Sequence, residues 1–218
     1  MSSTNRSDSR DNHIADYYVT PPLDIQEFLD AFLANHENLD LSTFTILDPC
    51  AWGNPYEEWE EEEIEVFPAG TRIVRIKKTR EEHPMSYPLV LECYHPKRLI
   101  TNDIRPDSPA QFHEDFITYD IKSSFDMIIT NPPFNLALPI IEKALDILPI
   151  GGYCIMLLRL NFFGSKARKK FFETHMPIET YVHHKRISFA KGTTDSVEYM
   201  HCVWKKGDYP PYTKLFLI

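Results

Sequence analysis

Apolar residues recur along the chain in two patterns, helical spacing and short continuous runs. After Thr20 they fall at intervals of three and four, which predicts a helix with Thr20 as its candidate cap. The apolar face of this helix consists of Ile25, Phe28, Leu29, Phe32 and Leu33. Residues 85–94, 136–148 and 165–175 predict three further helices, and Ser165 is the candidate cap of the last.

Short apolar runs predict strands between these helices. The runs cover 44–50, 98–104, 115–120, 125–131 and 151–160, and two final runs at 179–189 and 198–206 are typical of an antiparallel pair. The alternation predicts an α/β fold whose central sheet is mostly parallel, with antiparallel pairing at one edge. Ligands in such sheets bind beyond the carboxyl ends of the strands. One crevice is therefore expected to be lined by Asp48, Asp103, Asp115 and Asn131.

Residues 55–83 interrupt this alternation and are predicted to be an insertion. Seven of the nine residues in 57–65 are Glu, and 71–80 alternates basic with apolar residues. The pattern predicts a helical or disordered acidic run followed by a hairpin. The acidic run is interpreted as a solubilising segment or as a binding site for a basic protein partner.

The composition indicates one globular domain. The chain has 218 residues, of which 43% are hydrophobic and 13% aromatic, and we assign 14–218 to the domain and 1–13 to a flexible tail. The four cysteines include no C-x-x-C pair, so neither a metal site nor a disulfide framework is predicted. No long apolar run or signal peptide is visible, which favours a reduced, cytoplasmic setting without membrane contact.

Charge is unevenly distributed along the chain. The net charge of −9 argues weakly against nucleic-acid binding, yet residues 157–206 hold ten Lys and Arg against four acidic residues. The predicted helix at 165–175 contributes candidate phosphate contacts, namely Lys166, Arg168, Lys169 and Lys170. A solvated helix face explains the same four residues without nucleic acid.

The stretch "NPPF" follows a predicted strand and suits the chemistry of a nitrogen acceptor. Asn131 offers an amide oxygen, while Pro132 and Pro133 fix the backbone and leave the Pro132 carbonyl as a second acceptor. Two adjacent acceptors can hold both hydrogens of an exocyclic amine, and Phe134 can stack on a planar ring. The alternative is a rigid turn with Phe134 in the core.

Five motifs in this order resemble those of amino-methyltransferases that use S-adenosylmethionine, above all the N6-adenine DNA methyltransferases. "NPPF" resembles their catalytic motif and "LDPCAWGN" their cofactor motif. "NDI", "EDF" and "YVTP" resemble three further cofactor-contacting segments. Residues 151–172 and 183–207 are similar to the small adenine methyltransferases of phages and prophages. The resemblance implies a Rossmann-like class I methyltransferase fold with helices on both faces of the sheet.

The resemblance also implies how the cofactor would be held. Tyr18 and Thr20 would line its methionine end. The methionine amine would be held by Asp48 and the loop after it, comprising Pro49, Cys50, Ala51 and Gly53. The adenosine would be held by Asp103 at the ribose hydroxyls, Asp115 at the adenine amine, and Ile104 and Phe116 on the ring.

The function implied is methyl transfer to adenine N6 in double-stranded DNA, in the host cytoplasm if the chain is phage-encoded. The target base must leave the duplex, with Phe134 stacking on one side and Phe189 closing the other. RNA adenine and protein glutamine are alternative acceptors. A short or loose target sequence is expected, because no separate recognition domain is visible.

One departure from the family pattern favours a catalytically silent descendant as a further alternative. Trp52 stands where glycine is common, and its ring could point into the cofactor crevice or swing outward.

Overall fold

A seven-stranded sheet forms the centre of the computed structural model, which describes residues 19–67, 70–189 and 197–218. The strands, in chain order, are β1 (Thr45–Asp48), β2 (Glu57–Phe67), β3 (Gly70–Arg80), β4 (Arg98–Thr101), β5 (Met127–Thr130), β6 (Tyr153–Arg159), β7 (Glu179–Val182), β8 (Tyr199–Lys205) and β9 (Lys214–Leu217). All except β2 and β3 belong to the central sheet, in the order β4-β1-β5-β6-β8-β7-β9. The predicted tail 1–13, Tyr18 and residues 190–196 lie outside the described residues.

Strand directions confirm the mostly parallel sheet. β4, β1, β5 and β6 pair in parallel, whereas β8 runs antiparallel to its neighbours β6 and β7. β9, which no sequence pattern predicts, pairs in parallel with β7 and forms the edge beyond the antiparallel strand. The carboxyl ends of β1, β4 and β5 therefore lie on the same side of the sheet.

Helices cover both faces of this sheet. They are α1 (Pro22–Asn35), α2 (Ser86–Leu91), α3 (Ala137–Ile147) and α4 (Lys169–Thr174). Successive side chains of a strand point to opposite faces, so Ile46 packs in the core with α1 and α2, whereas Leu47 packs with α3 and α4. Both cores fix the strand register and with it the position of the strand ends. No helix in the described residues has the length and apolar character that a membrane span requires.

Residues 115–120 form turns, which corrects the predicted strand. The carboxylate of Asp115 accepts hydrogen bonds from the Ile117 amide and the Thr118 hydroxyl, both at 3.0 Å. These local bonds stabilise a turn in place of strand pairing. The sheet-like contact beside β4 is made earlier, by an isolated parallel bridge between Asn102 and Phe112.

Both predicted helix caps are wrong. Pro21 precedes α1, no side chain caps its first turn, and the Thr20 hydroxyl instead accepts a hydrogen bond from Asn131. Ser165 makes no capping bond either. It is followed by the short 3-10 helix Lys166–Arg168, so the α-helix expected over 165–175 is confined to α4.

The acidic run is a β-strand, which corrects the expectation of a helix or disordered segment. β2 and β3 pair antiparallel over their full lengths as a separate two-stranded sheet. Opposite charges face each other across this hairpin, as in Glu62 and Arg75, whose Oε1 and Nε atoms are 3.2 Å apart. Asn54 and His83 close its base through mutual backbone hydrogen bonds of 2.9 and 3.0 Å.

Candidate active site

The loops that follow β1, β4 and β5 line one crevice. Of the four residues predicted to line it, Asp103 and Asp115 do so, whereas Asp48 and Asn131 are buried and are not among its lining residues. Asp48 ends β1, Asp103 follows β4 and Asn131 follows β5, and their side chains are 0%, 4% and 1% exposed. The crevice walls include Pro49, Cys50, Trp52, Asp103, Ile104, Asp115, Phe116 and Pro133. Its volume is about 50 Å³. Pockets for drug-sized ligands have volumes of about 300–1,000 Å³, so the crevice is nearly closed in this conformation.

Asp48 carries a buried carboxylate with an unused acceptor. Oδ1 accepts a hydrogen bond from the Cys50 amide at 3.2 Å, and Oδ2 has no hydrogen-bond partner among the described residues. Burial is the largest influence on this group and raises the pKa of Asp48 to about 7, although the hydrogen bond from the Cys50 amide opposes the rise. A cationic group at Oδ2 would supply the counter-charge that this carboxylate lacks.

We expect the raised pKa of Asp48 to make the chain less stable as the pH rises. The native state keeps this proton up to about pH 7, whereas the unfolded chain releases it near 3.8. The free energy of unfolding therefore falls between these two pH values. At about 1.4 kcal/mol per unit, the full effect is about 4 kcal/mol.

Urea unfolding at about pH 5 and about pH 8 should show about 3 kcal/mol of this fall, since about two of the three pH units lie above pH 5. Asp48→Asn keeps the shape of the side chain without its titration, so its free energy of unfolding should fall less than that of the wild type. The exposed Asp120→Asn is the matched control and should behave as the wild type. An undiminished fall in Asp48→Asn would show that another group is responsible.

Trp52 narrows the crevice from the loop after β1. Its backbone lies in the left-handed region with φ 61°, and its amide donates to Asp103 Oδ2 at 2.8 Å. The indole Nε1 donates to the main-chain carbonyl of Asn131, also at 2.8 Å, and the residue is 6% exposed. Of the two orientations left open by the sequence, the ring takes the inward one. It therefore connects the loop after β1 to the NPPF stretch after β5.

A buried ion pair fixes the same loop. Arg105 Nε lies 3.1 Å from Asp103 Oδ1, and Arg105 Nη2 donates to the Gly53 carbonyl at 2.7 Å. Asp103 thus accepts hydrogen bonds from both Arg105 and Trp52, and ribose hydroxyls would have to share these oxygens. Gly53 has φ 74°, and a Cβ there would lie 2.9 Å from Cγ of Met85, so glycine suits both the conformation and the space.

The residues predicted to receive the cofactor adenine lie together on one wall. Ile104 is 52% exposed and Phe116 is 5% exposed, so both offer apolar surface to the crevice. The carboxylate of Asp115 takes part in its local turn, and each of its oxygens has a further lone pair for an amine donor. This wall suits a planar ring with an exocyclic amine.

Asn131 is oriented by a residue far away in the chain. Its Nδ2 donates to the Thr20 hydroxyl at 3.1 Å. Because Nδ2 is engaged there, Oδ1 is the end of the amide that can accept from a substrate amine. Pro132 behind it is buried, and Pro133 lines the crevice. Thr20 and Asn131 are thus brought together, although the contact differs from the helix cap that the sequence predicts.

Phe134 packs in an aromatic cluster that sequence reasoning described only in part. Its ring centroid lies 5.7 Å from that of Tyr199, and the Arg159 guanidinium lies 4.3 Å from the Phe134 ring centre. Phe189 contacts the same tyrosine, at 4.9 Å between ring centroids. Arg159 and Tyr199 were missed. The available signal was their position, since Arg159 ends β6 and pairs in register with the first residue of β8.

The four predicted phosphate-binding cations have different surroundings. Arg168 turns back onto the chain, where Nε donates to the Phe162 carbonyl at 2.6 Å. Lys169 is paired with Glu173. Lys166 and Lys170 are exposed and make no ion pair with a described residue. Two of the four cations are therefore positioned to meet a polyanion without giving up a contact.

The crevice fits S-adenosylmethionine in its chemistry but not in its present volume. The unused oxygen of Asp48 suits an ammonium group, and the wall formed by Ile104 and Phe116 suits an adenine. The indole of Trp52 lines the same crevice and donates to the main-chain carbonyl of Asn131. Entry of a cofactor of this size requires the ring to move.

Neither a family model nor a curated protein sequence matches this chain. Among solved structures, it is similar to a candidate class I S-adenosylmethionine-dependent methyltransferase from Listeria monocytogenes, with a TM-score of 0.58 and 15% identity, over 96% of this chain and 68% of that one. A candidate RNA methyltransferase from Pyrococcus horikoshii has a TM-score of 0.55 and 13% identity, over 88% and 87%.

A candidate hemolysin from Lactococcus lactis has a TM-score of 0.52 and 12% identity, over 92% of this chain and 94% of that one. These likenesses show the Rossmann-like class I methyltransferase fold and confirm the predicted fold class. At such low identities they establish the fold alone, and activity has to be argued from the site.

Proposed function

We propose that this chain is an S-adenosylmethionine-dependent methyltransferase that methylates N6 of adenine in double-stranded DNA. The observation that carries the proposal is the rigid placement of Asn131. Its amide is held by Thr20 at the end of β5, and both Asn131 and the buried Asp48 directly precede segments that line the crevice. This arrangement supports a site for the substrate nitrogen at Asn131 and a site for the ammonium group of an amino acid at Asp48.

The residues of the chain act mainly by positioning. When bound, S-adenosylmethionine supplies an electrophilic methyl group. Asp48 would hold the ammonium group of its methionine, and Ile104 and Phe116 would contact its adenine. Oδ1 of Asn131 and the Pro132 carbonyl accept the two amine hydrogens, which directs the nitrogen lone pair at the methyl carbon. The surplus proton on the methylated nitrogen would leave to water.

Methyl transfer from tritiated S-adenosylmethionine tests the proposal. The acceptors are mixed-sequence duplex DNA, RNA of the same sequence, and a glutamine-containing protein, each with and without excess S-adenosylhomocysteine. We expect label in duplex DNA, sensitive to the inhibitor, and N6-methyladenine as the labelled nucleoside after digestion. If only RNA or only protein is labelled, that acceptor is the substrate in place of DNA. No label in any acceptor would contradict the enzymatic proposal.

Two exposed cations support nucleic acid as the substrate. We expect the double variant Lys166→Glu, Lys170→Glu to bind duplex DNA at least about tenfold more weakly, with a salt dependence reduced by about two phosphate contacts. Arg168→Gln should have a smaller effect on the salt dependence, since its guanidinium already bonds the chain. Filter binding across a salt series measures both quantities.

The matched control reverses two exposed cations at the amino ends of parallel strands, Lys97 and Lys214. This end of the sheet is opposite the crevice, so Lys97→Glu, Lys214→Glu should retain wild-type affinity. Equal losses in both double variants would indicate only a general charge effect. Unchanged binding in Lys166→Glu, Lys170→Glu would favour a protein acceptor.

We also propose that the target sequence is short or loosely defined. The hairpin of β2 and β3 is the largest insertion in the described residues, and it is a two-stranded element separate from the central sheet. Sequencing of modified bases in DNA from cells expressing the chain tests this. A strict six-base preference would contradict it.

A further inference from the structure

Three side chains of metal-ligand type meet near the start of α1, outside the crevice. Asp24 and Glu27 lie about one turn apart on this helix, and His183 directly follows β7. Their ligand atoms all lie within 4.8 Å of one another. Asp24 is half-buried, Glu27 is exposed and His183 is 2% exposed. No sequence motif marks the group, because His183 is distant in the chain from the two carboxylates.

The second observation is a buried ring nitrogen without a partner. Nε2 of His183 lies 2.9 Å from Nδ1 of His201. Nδ1 of His183 has no hydrogen-bond partner among the described residues. Buried polar atoms usually have a hydrogen-bond partner or a ligand, because leaving one unsatisfied destabilises the fold. Here the unsatisfied nitrogen belongs to the residue beside two carboxylates, which indicates a cation that accepts both nitrogen and oxygen ligands.

We propose that Asp24, Glu27 and His183 bind one divalent transition-metal ion of the zinc class. The ligands are Nδ1 of His183 and one oxygen from each carboxylate, with water completing the coordination. Imidazole and carboxylate together suit Zn²⁺, whereas Mg²⁺ prefers oxygen ligands alone. Ligand atoms on one zinc ion lie at most about 4 Å apart, so a small movement of the exposed Glu27 side chain completes the site.

A hydrogen-bonded chain leads from this cluster to the candidate active site. With a metal on Nδ1, His183 carries its proton on Nε2 and donates to His201. His201 then donates from Nε2 to the Tyr87 hydroxyl, 2.8 Å away. Tyr87 lies beside Thr20, whose hydroxyl accepts a hydrogen bond from Asn131. The ion thereby fixes the tautomers of His183 and His201, which lie between the metal site and Asn131. This consequence rests on the proposed function, whereas metal binding itself does not.

Lys185 is the competing cation at this site, since its charge acts on Asp24. An ion between the carboxylates would meet repulsion from this ammonium group. Lys185→Gln should therefore bind the metal more tightly than the wild type, by about two- to fivefold for an exposed charge. A weaker uptake by Lys185→Gln would indicate that the ion does not sit beside Asp24.

Calorimetric titration of the chelator-treated full chain with Zn²⁺, and separately with Mg²⁺, tests the proposal. We expect one Zn²⁺ per chain at this site and at least about tenfold weaker binding of that ion in Glu27→Gln. Glu37→Gln, which removes an exposed carboxylate just beyond α1, is the matched control and should bind as the wild type.

Three outcomes would overturn the metal site. They are no Zn²⁺ uptake by the wild type, equal uptake by wild type and Glu27→Gln, or Mg²⁺ binding as tight as that of Zn²⁺. Because Glu27 is exposed, its replacement leaves the core intact and its result can be interpreted. The readout is binding, so a chain without methyl-transfer activity would leave this test unaffected.

Discussion

Replacing Asn131 with alanine should lower the rate of methyl transfer at least about 100-fold, with little change in cofactor affinity. The variant removes the amide oxygen that accepts the substrate amine, so the lone pair of the nitrogen is no longer directed. The main-chain carbonyl that accepts from Trp52 remains in Asn131→Ala. Single-turnover transfer with saturating cofactor measures the effect on the chemical step.

Asn135→Ala is the matched control for this variant. Asn135 lies four residues further along the same turn and is exposed, so its replacement should leave the rate within about twofold. Asn131→Ala also leaves the buried Thr20 hydroxyl without one donor, which we expect to cost about 1 kcal/mol of stability. Equal rates in Asn131→Ala and the wild type would contradict the proposed acceptor site, and only the fold assignment would stand.

Removing the indole of Trp52 should raise cofactor affinity at least about tenfold. The ring is buried and donates to Asn131 a hydrogen bond worth about 1 kcal/mol. Both the hydrogen bond and the burial must be lost before the cofactor enters. A cost of about 1.4 kcal/mol reduces affinity tenfold. Trp52→Gly removes this cost and also suits the backbone, since φ of 61° is readily adopted by glycine.

Trp52→Phe separates the contribution of the indole hydrogen bond from that of the buried ring. It keeps an aromatic ring in the crevice but lacks the Nε1 donor, so its affinity should lie between those of the wild type and Trp52→Gly. Calorimetry with S-adenosylhomocysteine measures all three. Weaker binding by Trp52→Gly than by the wild type would show that the indole is a wall of the cofactor site. No binding by any of them would favour the silent descendant.

Buried apolar patterns predict the sheet and helices well, because burial on both faces leaves continuous apolar runs and helical spacing in the sequence. β1, β5 and α3 lie where those patterns place them. The same reasoning fails for 115–120, where a short apolar run predicts a strand. There the Asp115 carboxylate bonds the next residues and stabilises a turn.

Contacts between distant residues explain the other differences. Thr20 has the composition of a helix cap, but its partner Asn131 is 111 residues away and leaves no local signal. The acidic run forms a strand because β3 supplies basic residues opposite it, as in the pair of Glu62 and Arg75. The inward position of Trp52 likewise depends on the Asn131 carbonyl, which the sequence around residue 52 does not contain.

The half-titrated carboxylate of Asp48 has a calorimetric consequence. Near neutral pH a share of the molecules carries its proton, which an incoming ammonium group must expel into the surrounding buffer. The measured heat of cofactor uptake will then vary with the ionisation enthalpy of that buffer. Comparing phosphate with Tris would count the expelled protons directly, and Asp48→Asn should erase the difference.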